Sequence, residues 1–198
     1  METEEEEEEE EGAFIEHLKN YGGEWFWEDI QWPDGTEWMA EAMKNGTLTS
    51  VTDGSYMEHL HRNMSGAGWI IQDRASGKRV QVSLAEWSTT AGSYRGKLLG
   101  MLAVRVLLLA AEEYYRASTT NQTGNSVSCD TMGALHTFAK ECKRVPASRS
   151  NADIRRTLGE VNRLALNKYS LEHVKGHRDS NTRPEDLSLE AQLNERKT

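Results

Sequence analysis

From Ser93 to Tyr115 the chain carries a helical pattern that is apolar around most of its circumference, and this stretch restricts the fold more than any other. Its densest part, Leu98 to Ala111, is interrupted by Arg105 and flanked by Arg95, Lys97, Glu112 and Glu113. That falls short of the ~18–20 uninterrupted apolar residues of a membrane span. A helix apolar on nearly all sides has to lie between layers of other structure. The rest of the chain must therefore supply a sheet and further helices to enclose it.

The sheet is legible just upstream. Thr47 to Tyr56 (TLTSVTDGSY), Gly66 to Gln72 (GAGWIIQ) and Arg79 to Trp87 (RVQVSLAEW) are rich in β-formers, and the third alternates well. Asp73 to Lys78 (DRASGK) has the composition of a hairpin turn, so the three strands read as an antiparallel meander. Ser93 is the expected N-cap of the long helix. After a polar loop, Ser126 to Asp130 reads as a fourth strand and Met132 to Cys142 as a helix. Asp153 to Leu166 reads as a further helix, Tyr169 to Val174 as a fifth strand and Leu187 to Arg196 as a last helix. Strands and helices in this order indicate an α/β domain with a mixed sheet.

Charge is distributed unevenly. The formal net charge of -9 over 198 residues equals the contribution of nine glutamates, Glu2 and Glu4 to Glu11. Residues 1–12 are therefore expected to form a disordered, self-repelling acidic tail, with docking of a basic protein partner as its other reading. Residues 13–46 form a lead-in segment, partly helical, with Trp25, Trp27, Trp32 and Trp38. Their indoles are expected to pack against the domain that follows, although stacking on bases is the alternative. The N-terminus has no apolar stretch of the secretory kind. An intracellular chain, cytoplasmic or nuclear and without membrane attachment, is expected, with Cys129 and Cys142 as reduced thiols.

Several short motifs follow in one order: TDGS at Thr52, GAGWII, SYRGKLLGMLA at Ser93, SCDTMGAL at Ser128, HVKGH at His173, and LNERKT at the end. In this order and element context the chain resembles type 1 ribonuclease H, most closely the RNase H-like domains of retroelements. The resemblance covers about residues 47–198. It implies an α/β, RNase H-like fold: a five-stranded mixed sheet, three antiparallel strands and then parallel ones, with helices on both faces. It also implies hydrolysis of the RNA strand of an RNA–DNA hybrid with two Mg2+ or Mn2+ ions, held ~3.5–4 Å apart by four carboxylates.

Asp53 and Asp130 match the first and third of those carboxylates, as metal ligands. Their plainer readings are a turn former and an N-cap. The second position holds Lys97, in register because Leu98, Leu99 and Gly100 continue the family pattern. The fourth falls on Thr198; Glu190 and Glu195 are displaced from it. His177 matches the loop histidine that assists water positioning or product departure. The expectation is a catalytically impaired domain in which the Lys97 ammonium pairs with Asp53 and Asp130 and stands in for metal. A working hybrid ribonuclease with an altered site, and a protein-interaction module on the old substrate face, are the alternatives.

Between Lys140 and Arg178 there are ten basic residues against four carboxylates. Family members grip a hybrid with a basic helix here. Arg95, Lys143, Arg144, Arg155, Arg156 and Lys175 are accordingly expected to contact nucleic acid, either an RNA–DNA hybrid or a double-stranded RNA-like duplex.

Overall fold

The computed structural model describes residues 2–23, 26–117, 124–139 and 144–174, with side chains from Glu11 onward. In chain order the elements are α1 (Glu2–Lys19), α2 (Trp38–Asn45), β1 (Leu48–Tyr56), β2 (Met64–Asp73), β3 (Arg79–Trp87), α3 (Ser93–Tyr114), β4 (Ser126–Cys129), α4 (Met132–Ala139), α5 (Ala152–Leu164) and β5 (Ser170–His173). The helix expected near residues 187–196 lies outside the described residues.

The five strands form one sheet in the order β3-β2-β1-β4-β5. β1–β2 and β2–β3 are antiparallel, whereas β1–β4 and β4–β5 are parallel. This is the five-stranded mixed α/β sheet, three antiparallel strands and then parallel ones, that the resemblance implied. The hairpin turn is fixed by Asp73, whose carboxylate accepts from the Thr47 and Ser76 hydroxyls and from the Ala75 and Ser76 amides.

Period-two alternation directs Ala67, Trp69 and Ile71 of β2, with Val80 and Val82 of β3, to the face that α3 covers. Val51 and Ile70 form a small separate cluster. Every residue of α3 from Arg95 to Glu112 is buried, as a helix enclosed by layers must be. α4 and α5 pack on α3, and α1 and α2 also touch it, so the described helices gather around this central one. The first turns of α3 lie almost directly on the strands. A Cβ added at Gly54 would collide with the Lys97 backbone nitrogen, and one at Gly96 with the Gly66 carbonyl oxygen.

Two expectations differ from what is found. The acidic run is helical and continues without a break into residues 11–19. Glutamate is a good helix former, carboxylates are favourable near a helix N-terminus, and Phe14 and Leu18 anchor the far end in the core. Ser93 is the first helical residue and not the cap; its hydroxyl donates to the Gly54 carbonyl, tying α3 to β1. Of the lead-in tryptophans, Trp27 and Trp38 are buried in the core and Trp32 packs against it, while Trp25 lies outside the described residues.

Candidate functional site

In the parallel β1–β4 pair, Thr52 lies opposite Cys129 as the last matched residues. Asp53 and Asp130 therefore lie side by side where the parallel pairing ends, Asp53 within β1 and Asp130 just past the carboxyl end of β4, at the end of the sheet where open α/β sheets commonly bind ligands. Lys97 reaches the same place from the second turn of α3. Its Nζ lies 2.5 Å and 2.6 Å from the two Asp130 carboxylate oxygens and 3.3 Å from Asp53 Oδ1. The side chains of Lys97 and Asp130 are largely buried, 11% and 14% exposed, and that of Asp53 is 23% exposed.

Burial pushes the Asp130 carboxyl up, but the hydrogen bond and charge of Lys97, with help from Thr131 and Cys129, hold it below its ordinary value. Burial likewise pushes Lys97 down, and Asp130 and Asp53 together raise it above the usual lysine value. Lys97 and Asp130 are therefore an ammonium–carboxylate pair at neutral pH, with the Asp53 carboxyl group beside them. Burial pushes the Cys129 thiol up, so it stays neutral while donating weakly to Asp130. The His173 Nε2–H donates to the Asp130 carbonyl oxygen at 2.9 Å. His173 belongs to the HVKGH motif, yet sequence reasoning singled out only His177 there.

A pair of divalent cations does not fit this donor set. Among the described residues no three carboxylate, imidazole or thiol groups converge on one point. The two carboxylates that do converge are engaged by an ammonium. At an effective dielectric near 20, a unit charge ~4 Å from another contributes roughly 4 kcal/mol of repulsion when the signs match. A doubly charged ion beside Lys97 Nζ meets about twice that. Thr198 and His177 lie outside the described residues, as do Glu190 and Glu195.

The expected nucleic-acid contacts divide. Arg95 is not available: it is 5% exposed, and its guanidinium donates to Glu86, Asp153 and Asn151. These bonds run from every nitrogen of the fork and hold β3, α3 and the start of α5 together. Glu86 first and Asp153 next hold its pKa above the ordinary arginine value, against the effect of burial.

Arg144 and Arg155, by contrast, line one cavity of about 300 Å³ with Arg149, His136, Thr137 and Tyr94. Arg155 donates to the Tyr94 and Thr137 hydroxyls and lies over the Tyr94 ring. Arg144 and Arg149 are exposed. Arg156 is exposed too, with its Nε donating to the Val145 carbonyl. Lys143 and Lys175 lie outside the described residues. The cavity adjoins the carboxylates, because Tyr94 precedes Lys97 by one helical turn and α4 starts just after Asp130. Tyr94, His136 and Arg149 were not legible as members of a site, since what unites them is the packing of α3, α4 and the segment leading into α5.

No family model matches the chain, and no curated protein matches it. Among solved structures, RNase H1 from the halophilic archaeon Halobacterium salinarum NRC-1 superposes with a TM-score of 0.42 at 13% identity, over 64% of this chain and 84% of that one. The N-terminal RNase H domain of a Mycobacterium tuberculosis protein, solved as a fusion with maltose binding protein, gives 0.42 at 11% identity, over 64% and 81%. Neither likeness bears on the chemistry of this chain, and the fold rests on its own strand order and pairing.

Proposed function

We propose that this chain is a nucleic-acid-binding module on an RNase H-like fold, descended from a retroelement-type ribonuclease H, that holds duplexes without hydrolysing them. The observation that carries the reading is the Lys97 ammonium within hydrogen-bond reach of Asp130 and beside Asp53. A resident cation that cannot leave occupies the place where hydrolysis needs exchangeable Mg2+ or Mn2+. Beside it, the cavity of Arg144, Arg149, Arg155 and His136 offers charge for a phosphate backbone. The partner is an RNA–DNA hybrid or a double-stranded RNA-like duplex, recognised by backbone and shape.

The test is a titration of a labelled RNA–DNA hybrid with the full chain in Mg2+, following anisotropy and strand length together. Binding without shortening, with log affinity falling linearly against log salt, is the expected result. Rapid metal-dependent cleavage that Asp53→Asn abolishes would overturn the loss of chemistry. Absence of binding even at low salt would point to a protein partner on this face instead.

A further inference from the structure

Three arginines, Arg144, Arg149 and Arg155, line the cavity between α3, α4 and the start of α5, and no carboxylate among the described residues lines it with them. Among those residues no ion pair joins any of the three to an acid. The carboxylates on either side are already engaged, Asp130 by Lys97 and Asp153 by Arg95. A guanidinium does not lose its proton in a protein. The cavity therefore gathers three fixed positive charges that the described protein leaves uncompensated.

One of the three is held in place for recognition. Arg155 Nε donates to the Ser150 carbonyl, one terminal nitrogen to the Thr137 hydroxyl and the other to the Tyr94 hydroxyl. All of these acceptors are neutral, so they fix the fork without cancelling its charge. Each terminal nitrogen carries two N–H groups and spends one of them here, which leaves one on each for a pair of oxygens on a single phosphate. The Tyr94 ring, covered by Arg155 and abutting Gly133, forms the floor beneath them.

The arrangement of donors separates the end of a strand from its middle. Arg155 comes from α5, His136 and Thr137 from α4, and Arg144 and Arg149 from the segment between these helices. They surround a space of about 300 Å³ and do not form a row. A phosphodiester within a strand brings a single charge and must leave such a space on both sides. A terminal phosphate monoester brings about 1.5–2 charges and three acceptor oxygens, and it enters from one side. Converging guanidiniums with no acid among them match the monoester.

We infer that this cavity receives the terminal phosphate monoester of a bound strand. The ligand is then an RNA–DNA hybrid with a phosphorylated end in preference to the same hybrid with hydroxyl ends, its end lying beside the Lys97–Asp130 pair. This rests on the nucleic-acid reading above, and the experiment separates the two. The full chain is titrated in chelator-containing buffer with a hydroxyl-ended hybrid, with the same hybrid phosphorylated at its 5′ or at its 3′ ends, and with a dinucleotide phosphorylated at both ends. Added hydrogen bonds to a charged group correspond to a gain of about 10- to 100-fold for a phosphorylated end. Arg144→Gln with Arg149→Gln should bring the ratio of phosphorylated to hydroxyl-ended affinity close to one. Arg144→Lys with Arg149→Lys should keep part of the gain, because the charges stay while the forks are lost. Lys78→Gln, an equal loss of charge per residue on the β2–β3 turn, should leave the ratio as it is, with folding of every variant checked by circular dichroism.

Equal affinity for phosphorylated and hydroxyl-ended hybrids, or a gain that survives the double glutamine variant, overturns the terminal site while leaving duplex binding intact. Failure of every hybrid alongside arginine-dependent binding of the dinucleotide sinks the duplex reading and keeps the site. No binding of any probe sinks both. Arginine-dependent binding of a phosphothreonine peptide, with no preference among the hybrids, would assign the cavity to a modified protein and overturn the proposal.

Discussion

Lys97→Met keeps most of the lysine stem and deletes its charge, leaving two largely buried carboxylates facing each other. Breaking a buried ion pair from one side costs about 3–5 kcal/mol, and the partial exposure here places the expected loss near the lower end, ~3 kcal/mol by urea denaturation. A loss below ~0.5 kcal/mol would be that of a surface pair and would contradict the geometry. Lys97→Glu reverses the sign and assembles three carboxylates. That variant should gain thermal stability on addition of Mn2+, and the wild type should not; equal responses would show that the lysine does not exclude metal.

The pH response has a definite window. Asp130 has a folded pKa below its unfolded value, so its contribution is complete above about 3.9 and is lost as pH falls through the depressed value. Lys97 has a raised folded pKa, so its contribution is complete below about 10.4 and is lost as pH rises through the raised value. The wild type should thus lose stability at both extremes. Lys97→Met should show less of both losses, the alkaline remainder coming from Tyr21, Tyr169 and Cys129, whose pKa values burial also raises, as followed by thermal melts across pH. Arg95 shows why such assignments escape a linear reading. Its motif neighbours suggested phosphate contact, but Asp153, the partner that consumes much of it, is remote in the chain, and only the docking of α5 on α3 reveals it.

Among the elements, the contact between α3 and the β1–β2 ribbon depends on the absence of side chains. Gly96→Ala would drive a methyl into the Gly66 carbonyl oxygen, which belongs to a paired strand and cannot step aside. Overpacking of this kind costs about 1–3 kcal/mol or more. Because Lys97 follows directly, the variant should also weaken the pairing with Asp130. Gly92→Ala, four residues earlier, meets nothing within 4 Å and should be near neutral. Comparing denaturation midpoints for the two decides the matter; equal midpoints would mean that α3 does not sit as close as described. The strands of this ribbon and α3 itself were legible because period-two alternation and all-round apolarity are local signals. α1 was not. A run of glutamates has high helix propensity and strong self-repulsion at once, and what decides between them is Phe14 meeting Tyr114 and Tyr115 at the far end of α3, with Leu18 buried in the same core. Likewise Asp53, Asp130 and Arg155 could be named from the sequence, whereas the grouping of Tyr94, His136 and Arg149 with Arg155 required the packing of α3, α4 and α5.

For the whole molecule, the question is whether the first 46 residues belong to the cooperative unit or merely precede it. Phe14 is fully buried, with its ring 5.5 Å from those of Tyr114 and Tyr115 and 5.9 Å from that of Trp32. The Tyr21 hydroxyl donates to Glu113, and Thr36 and Tyr115 share a 2.6 Å hydrogen bond. α2 adds Trp38, Met39 and Met43 to the same core as Leu48 and Trp69. These contacts make the lead-in part of the hydrophobic core: Phe14 sits at the end of α3 remote from Lys97, ~27 Å away along the helix, while Phe26 and Trp27 reach back to line a cavity with Arg95 and Leu99. Phe14→Ala should therefore cost about 3–5 kcal/mol, and it should do so in one transition, seen alike by far-ultraviolet circular dichroism and tryptophan fluorescence. Hybrid affinity under conditions where the variant stays folded should be unchanged, because Phe14 lies at the other end of α3 from the cavity residue Tyr94. If instead helicity fell in a separate early step while the main midpoint stayed put, α1 would be an appendage, and the fold would have to be counted from β1.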